Sequence, residues 1–193
     1  KLDKKKVPAC VHTINNAPQD IIVFTDRLLQ QGFGNSSYAE NCPLLVIKLN
    51  VFFSTGILFC KDKIIRNYLK GSPEHETFGS EVNEDIFDYI DVNELQSISY
   101  ITNLKYTCFI LERKDGVFEE LPITMLPIKH APMLCECISE IYKTIGFDIE
   151  VGKQKELRQD LVEEFHGIYD KMCENGKSEE KSTGGIIKKL FGK

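Results

Sequence analysis

Two hydrophobic periods run along this chain, and the change from one to the other divides it. Leu44 to Phe53 is a β-prone run, Leu-Leu-Val-Ile-Lys-Leu-Asn-Val-Phe-Phe, ended by Ser54-Thr55-Gly56 as a turn. Gly56 to Phe59 and Lys63 to Tyr68 predict a hairpin across Lys61-Asp62-Lys63, and Phe87 to Tyr100 resumes strand character with Asp91-Val92-Asn93-Glu94 interrupting it. Tyr106 to Thr124 is the sharpest local signal. A two-residue turn at Asp115-Gly116 would place Ile110 opposite Leu121, Cys108 opposite Ile123 and Glu112 opposite Glu119. A three-residue turn shifts every pair by one and sets Ile110 against Glu120, so the two-residue register is the expectation.

The period then lengthens. Pro132 stands in a first helical turn, where its missing N–H costs nothing, and Leu134, Ile138, Ile141 and Ile145 recur at helical spacing before Gly146 as a left-handed stop. A second amphipathic helix is expected from about Lys153 to Cys173, with Leu157, Leu161, Phe165, Ile168 and Met172 on one side. That stripe requires a partner surface, on the domain itself, on another protein, or on a second copy of the chain.

Outside this series the pattern is less decisive. Lys1 to Pro18 reads as an extended arm with an edge strand near Val11, and Lys4-Lys5-Lys6 as solvated charge. Ile21-Ile22-Val23-Phe24 fits a buried strand or the start of a helix that includes Leu28 and Leu29; a four-residue apolar run does not separate them. Gly32 to Ser37 reads as a loop, without the Gly-Lys-Ser/Thr ending of a phosphate cradle. Gly71 to Glu84, acidic and poor in apolar residues, reads as a surface loop. Asn175 to Gly185 is a polar linker, and Ile186-Ile187-Lys188-Lys189-Leu190-Phe191 combines apolar and basic residues as an interfacial segment does, making Ile186, Ile187, Leu190 and Phe191 candidate membrane contacts.

Composition narrows the class. At 193 residues, 42% apolar and 27% charged, the chain can bury a core without disulfides or a structural metal. A formal charge of -5 points away from nucleic acid. Seven cysteines at irregular spacing fit a reducing, cytoplasmic setting, and no stretch reaches the ~18 to 20 apolar residues of a spanning helix or the pattern of a signal peptide. In Cys135-Glu136-Cys137 the thiols lie about 200° apart around a helix axis, unsuited to chelation, and Cys137 is expected in the buried stripe beside Leu134 and Ile138. The four histidines are isolated, so neither a metal nor a cofactor is implied. A Cys/His hydrolase or transferase site, such as Cys108 or Cys60 with His130, would have to assemble in space.

Asp26-Arg27-Leu28-Leu29 with Gly32-Phe33-Gly34, then Thr55 to Ile65, then Tyr89-Ile90-Asp91-Val92-Asn93-Glu94-Leu95, resembles the bacterial pleckstrin-homology-like family over about residues 20–146. The resemblance implies an α+β domain, a mostly antiparallel sheet or partly open barrel closed by a C-terminal helix, in which Asp26 to Leu29 belong to a charged opening strand. The acidic loop and the second helix are extra to that pattern. It also implies a module that binds rather than catalyses, and makes Lys61, Lys63 and Arg66 the candidate anion or lipid contacts, since basic residues of an early hairpin grip the inositol phosphate in lipid-binding members. The expectation is therefore a non-enzymatic binding or scaffold module for a protein or peptide, using a sheet edge, the groove beside the closing helix, or the second helix. The alternatives are a membrane-associated protein held by its tail and the small Cys/His enzyme.

Overall fold

The computed structural model describes residues 8–34, 37–49, 55–70, 72, 74–75, 86–167 and 170. Two sheets carry the α+β architecture. The first holds β1 (Val11–Thr13), β2 (Pro43–Lys48), β3 (Gly56–Cys60), β4 (Lys63–Tyr68) and β5 (Ile86–Asp91), antiparallel and in chain order. The second holds β6 (Leu95–Tyr100), β7 (Tyr106–Arg113) and β8 (Phe118–Pro127) as an antiparallel meander, with β9 (Glu150–Val151) added parallel to β6. The predicted interruption at Asp91 to Glu94 is a 3₁₀ turn, opened by the Asp91 carboxylate accepting from the Asn93 N–H, and there the chain passes from one sheet to the other. The two sheets are separate among the described residues and form no closed barrel.

Side chains on the facing sides of the sheets make the central core. Leu45, Ile47, Ile57, Phe59, Ile64 and Tyr68 come from the first sheet, and Leu95, Ile98, Phe109, Leu111, Leu121 and Ile123 from the second. Helix α3 (Ala131–Thr144) closes this core with Leu134, Cys135, Ile138 and Tyr142. The buried Tyr142 hydroxyl donates to the Cys60 carbonyl at 2.9 Å, which ties the helix to the first sheet. Burial corrects the helical wheel: Cys135, four residues after Ala131 and three before Ile138, lies inside, while Cys137, turned about 100° from Ile138, is half-buried at the side.

Both sheets are covered on their outer faces as well. Helix α1 (Gln19–Phe33) lays Ile21, Phe24, Leu28 and Leu29 on Val46, Leu58 and Ile65, which resolves the ambiguous apolar run as helix. Asp26 to Leu29 lie within this helix, not in the charged opening strand that the family resemblance implies. The helix also runs through the expected loop at Gly32-Phe33 and stops at Gly34, in the left-handed region at φ 67°. A short α2 (Tyr38–Asn41) follows. The approach of α1 to the sheet requires glycine at 56, where a Cβ would lie 2.6 Å from the Ile47 carbonyl oxygen and 2.8 Å from the Phe24 ring.

The β7–β8 hairpin takes the register set aside on sequence grounds. Ile110 faces Glu120, Phe109 faces Leu121, Cys108 faces Pro122 and Glu112 faces Phe118. The turn is a three-residue one: the Gly116 N–H bonds the Arg113 carbonyl at 2.9 Å, the Arg113 N–H bonds the Val117 carbonyl at 2.8 Å, and Gly116 is left-handed at φ 83°. The reason is that β7 is buried on both faces. Phe109 and Leu111 point to the central core, whereas Cys108 and Ile110 point to an outer cluster with Ile101, Leu104, Tyr106 and Val162. Matching apolar residues on one face could not choose between registers when both faces were apolar.

The expected start of the second helix at Lys153 is also corrected. Residues 150–158 are extended along β6, with the Gly152 N–H on the Ile98 carbonyl, the Lys155 N–H on the Tyr100 carbonyl and the Thr102 N–H on the Lys155 carbonyl. The Asn103 side chain receives the Leu157 N–H at 3.0 Å and donates to the Leu157 carbonyl at 2.8 Å. Helix α4 begins at 159 and is described to 167, and it lays Val162 and Phe165, with the preceding Leu157, on the outer face of the second sheet.

Candidate functional site

A groove of about 520 Å³ runs between the first strand and the closing helix, lined by Thr13, Met133, Glu136, Cys137, Glu140, Ile141 and Thr144. Its floor follows from the helix. Met133, Cys137, Glu140 and Thr144 recur every three to four residues on the face beside the buried stripe, with Ile141 between that face and the core. Its wall is an open sheet edge. The Lys48 N–H bonds the Cys10 carbonyl at 2.9 Å, and His12 faces Val46, so alternation along an antiparallel pair turns the N–H and C=O of Val11 and Thr13 away from β2; the Val11 N–H bonds the Pro8 carbonyl at 3.0 Å and the Thr13 carbonyl caps the 3₁₀ turn Ile14–Asn16, which leaves the Thr13 N–H facing outward. Val11 packs in the central core, and Thr13, two residues on, points to the same side and reaches the groove.

The groove is electronegative at its rim. Glu136 and Glu140 are exposed, and burial first, then the Glu140 charge, push the Cys137 thiol up. Burial also pushes Cys60 and Cys135 up to about 12 and Cys108 higher still. These shifts hold the thiols protonated, the opposite of what nucleophilic chemistry asks of a cysteine. Among the described residues no group of three or more His, Cys, Asp or Glu could hold a metal ion.

The basic trio named by the hairpin does not converge. Lys63 and Arg66 are three apart on β4 and so face opposite sides of the sheet, while Lys61 is exposed in the turn. Arg66 shares the side of Ile64 and Tyr68 and is 9% exposed. Its guanidinium forks onto the cross-strand Asp88 carboxylate, with Nη2 at 2.7 Å from Oδ2, and reaches the Glu120 carbonyl at 3.3 Å and Glu119 at 3.4 Å. Burial opposes that charge, but the Asp88 bonds and charge outweigh it and raise the Arg66 pKa. Arg66 therefore links β4 to β5 and to β8, and Lys63 lies 3.8 Å from Asp62. The phosphate-gripping arrangement implied by the family resemblance is absent from these three residues.

Of the second helix stripe, Leu157 and Phe165 pack on the chain's own sheet and Leu161 is half-buried; Ile168 and Met172 lie outside the described residues. Sequence reasoning missed Val162, 5% exposed, and His166, whose Nε2 accepts the Lys105 N–H at 3.1 Å. The tail contacts Ile186, Ile187, Leu190 and Phe191, the linker and Lys4 to Lys6 also lie outside the described residues. In the expected surface loop, the two residues Glu74 and His75 are 3% and 2% exposed, and Glu74 accepts the Thr124 N–H at 3.1 Å as well as the Thr124 hydroxyl. Among the described residues no helix is long and apolar enough to cross a membrane. No protein-family model, curated protein or solved structure matches the chain.

Proposed function

We propose that this chain is an interaction module that binds an extended protein segment, in trans, along the groove between β1 and α3. The observation that carries the reading is the pairing of a sheet edge, with the Thr13 N–H turned outward, and a partly apolar floor of Met133, Cys137 and Ile141 directly beside it. Backbone hydrogen bonds to the edge supply affinity in such an arrangement, and alternate side chains entering the floor supply selectivity. The scaffold reading that goes with it is a pleckstrin-homology-like one; two mostly antiparallel sheets, a β6 to β8 meander and a helix packed into their shared core support it.

The test is a selection of displayed random decapeptides on the intact chain, followed by affinity measurement on Thr13→Pro. Thr13 has φ -83°, close to the proline value, so the substitution removes the outward N–H while leaving the strand backbone in place. Selected peptides should lose about tenfold in affinity on Thr13→Pro, the worth of one or two hydrogen bonds. They should lose more on Ile141→Glu, with thermal melting as the check on folding. Peptides indifferent to both changes, or no selected peptides, would overturn the reading.

A further inference from the structure

Resting on that reading, we infer that the groove is regulated by the chain's own arm: residues 4–7 fold back along the free edge of β1, with Lys6 and Lys4 over Glu136 and Glu140, and a partner segment binds by displacing them. The described start of the chain sets this direction. Ala9 and Cys10 form a turn closed by the Val11 N–H on the Pro8 carbonyl at 3.0 Å. Because the Val11 N–H points away from β2, Pro8 lies on the groove side of β1, and the chain before it sets out from there, reversed in direction.

Continued as an antiparallel pair, this turn sets Val7 beside His12 and Lys6 beside Thr13, and brings the Lys6 carbonyl to the outward Thr13 N–H. Cross-strand partners share a face, so Lys6 takes the side of Thr13, which lines the groove, and Lys4, two residues earlier, takes the same side. Lys5 and Val7 take the other. Alternate residues of a strand repeat at about 6.7 Å, and Glu136 and Glu140 rise about 6 Å apart along α3, so the two spacings match. Burial and the Glu140 charge push the Cys137 thiol up while the chain's amino-terminal charge pulls it down, so a cation of the arm is felt inside the groove.

The hold is weak by construction. β1 ends at Thr13, where the 3₁₀ turn takes the Thr13 carbonyl, and Ala9 and Cys10 lack the left-handed φ of a tight hairpin turn, so the aligned stretch is short. Both glutamates are exposed, and each ion pair adds little. The arm therefore covers a bare sheet edge and yields it to a segment that binds better.

The isotope-labelled intact chain tests the arm without any ligand. Facing residues of a non-hydrogen-bonded antiparallel pair bring their Cα atoms to about 4.5 Å, so a short Hα–Hα contact between Val7 and His12 is expected. Lys4→Glu with Lys6→Glu should remove most of it, and Lys5→Glu should keep it, with circular dichroism and melting showing that the fold is kept. The same variants are then titrated with an uncharged peptide selected on the intact chain. The double variant should bind it about fivefold more tightly, the combined worth of two exposed ion pairs that favour the closed arm, and the gain should shrink at high salt. Absence of the Val7–His12 contact, or a contact that the double variant leaves intact, overturns the arm's place. Equal affinity of parent and double variant does the same, while the groove reading stands. Failure to select any peptide overturns the groove reading itself and leaves the arm to be judged by the Val7–His12 contact.

Discussion

Replacing Arg66 by methionine tests whether this residue holds the fold or waits for an anion. Methionine keeps most of the apolar stem and removes the guanidinium, leaving Asp88 and Glu119 facing each other without their shared cation. Breaking a fully buried pair from one side costs about 3 to 5 kcal/mol. Here the Asp88 and Glu119 side chains are 42% and 23% exposed and regain water, which brings the expected loss to about 2 kcal/mol. Urea denaturation should show it as a midpoint lower by about 1 M at unchanged slope, for a slope of about 2 kcal/mol per M. Asp88→Asn in the same background should then cost much less than it does alone, because the two residues act as a unit. An unchanged midpoint, together with weaker binding to phosphate-bearing vesicles, would refute the structural role and return Arg66 to the anion site.

Other outcomes follow from the same contacts. Burial holds the Glu74 carboxyl above the ordinary carboxylate range, so its contribution to stability is complete below that range and is lost as pH rises through the raised value. Glu74→Gln should therefore lose less stability than the parent between acid and neutral pH, and parallel denaturation profiles would contradict this. Val162→Ala should cost about 1.5 kcal/mol and speed amide exchange across 159–167, whereas a change confined to β2 or β3 would deny that the helix rests on the second sheet. Gly56→Ala should cost about 2 kcal/mol through the Ile47 and Phe24 contacts. With a thiol reagent at neutral pH, Cys60, Cys108 and Cys135 should stay silent in the native state and label on unfolding; rapid native labelling of any of them would revive the Cys/His enzyme.

Local signals carried the elements well, and pairings between distant residues carried them poorly. The β3–β4 hairpin across Lys61-Asp62, the edge strand at Val11 and the helix ended by Gly146 each rest on neighbouring residues, and each stands in the structure. Helix α1 was one of two readings of Ile21 to Phe24, and the recurrence of Ile21, Phe24, Leu28 and Leu29 on the face that packs against β2, β3 and β4 accounts for it. The β7–β8 register was not, because an outer layer makes both faces of β7 apolar. The extended stretch at Lys155 owes its conformation to the edge of β6 and the Asn103 amide, so its helical sequence pattern was overruled by tertiary hydrogen bonds. The groove unites Thr13 with residues of α3 more than a hundred positions away, and no motif marks that meeting.

Titration of isotope-labelled protein with a selected peptide, followed through its backbone amide resonances, tests the groove most directly. The largest shifts should fall on Val11 to Thr13 and on the α3 face from Met133 to Thr144, with the Thr13 amide becoming protected from exchange. Shifts centred instead on Lys61 to Arg66 or on 159–167, with β1 unmoved, would contradict the account.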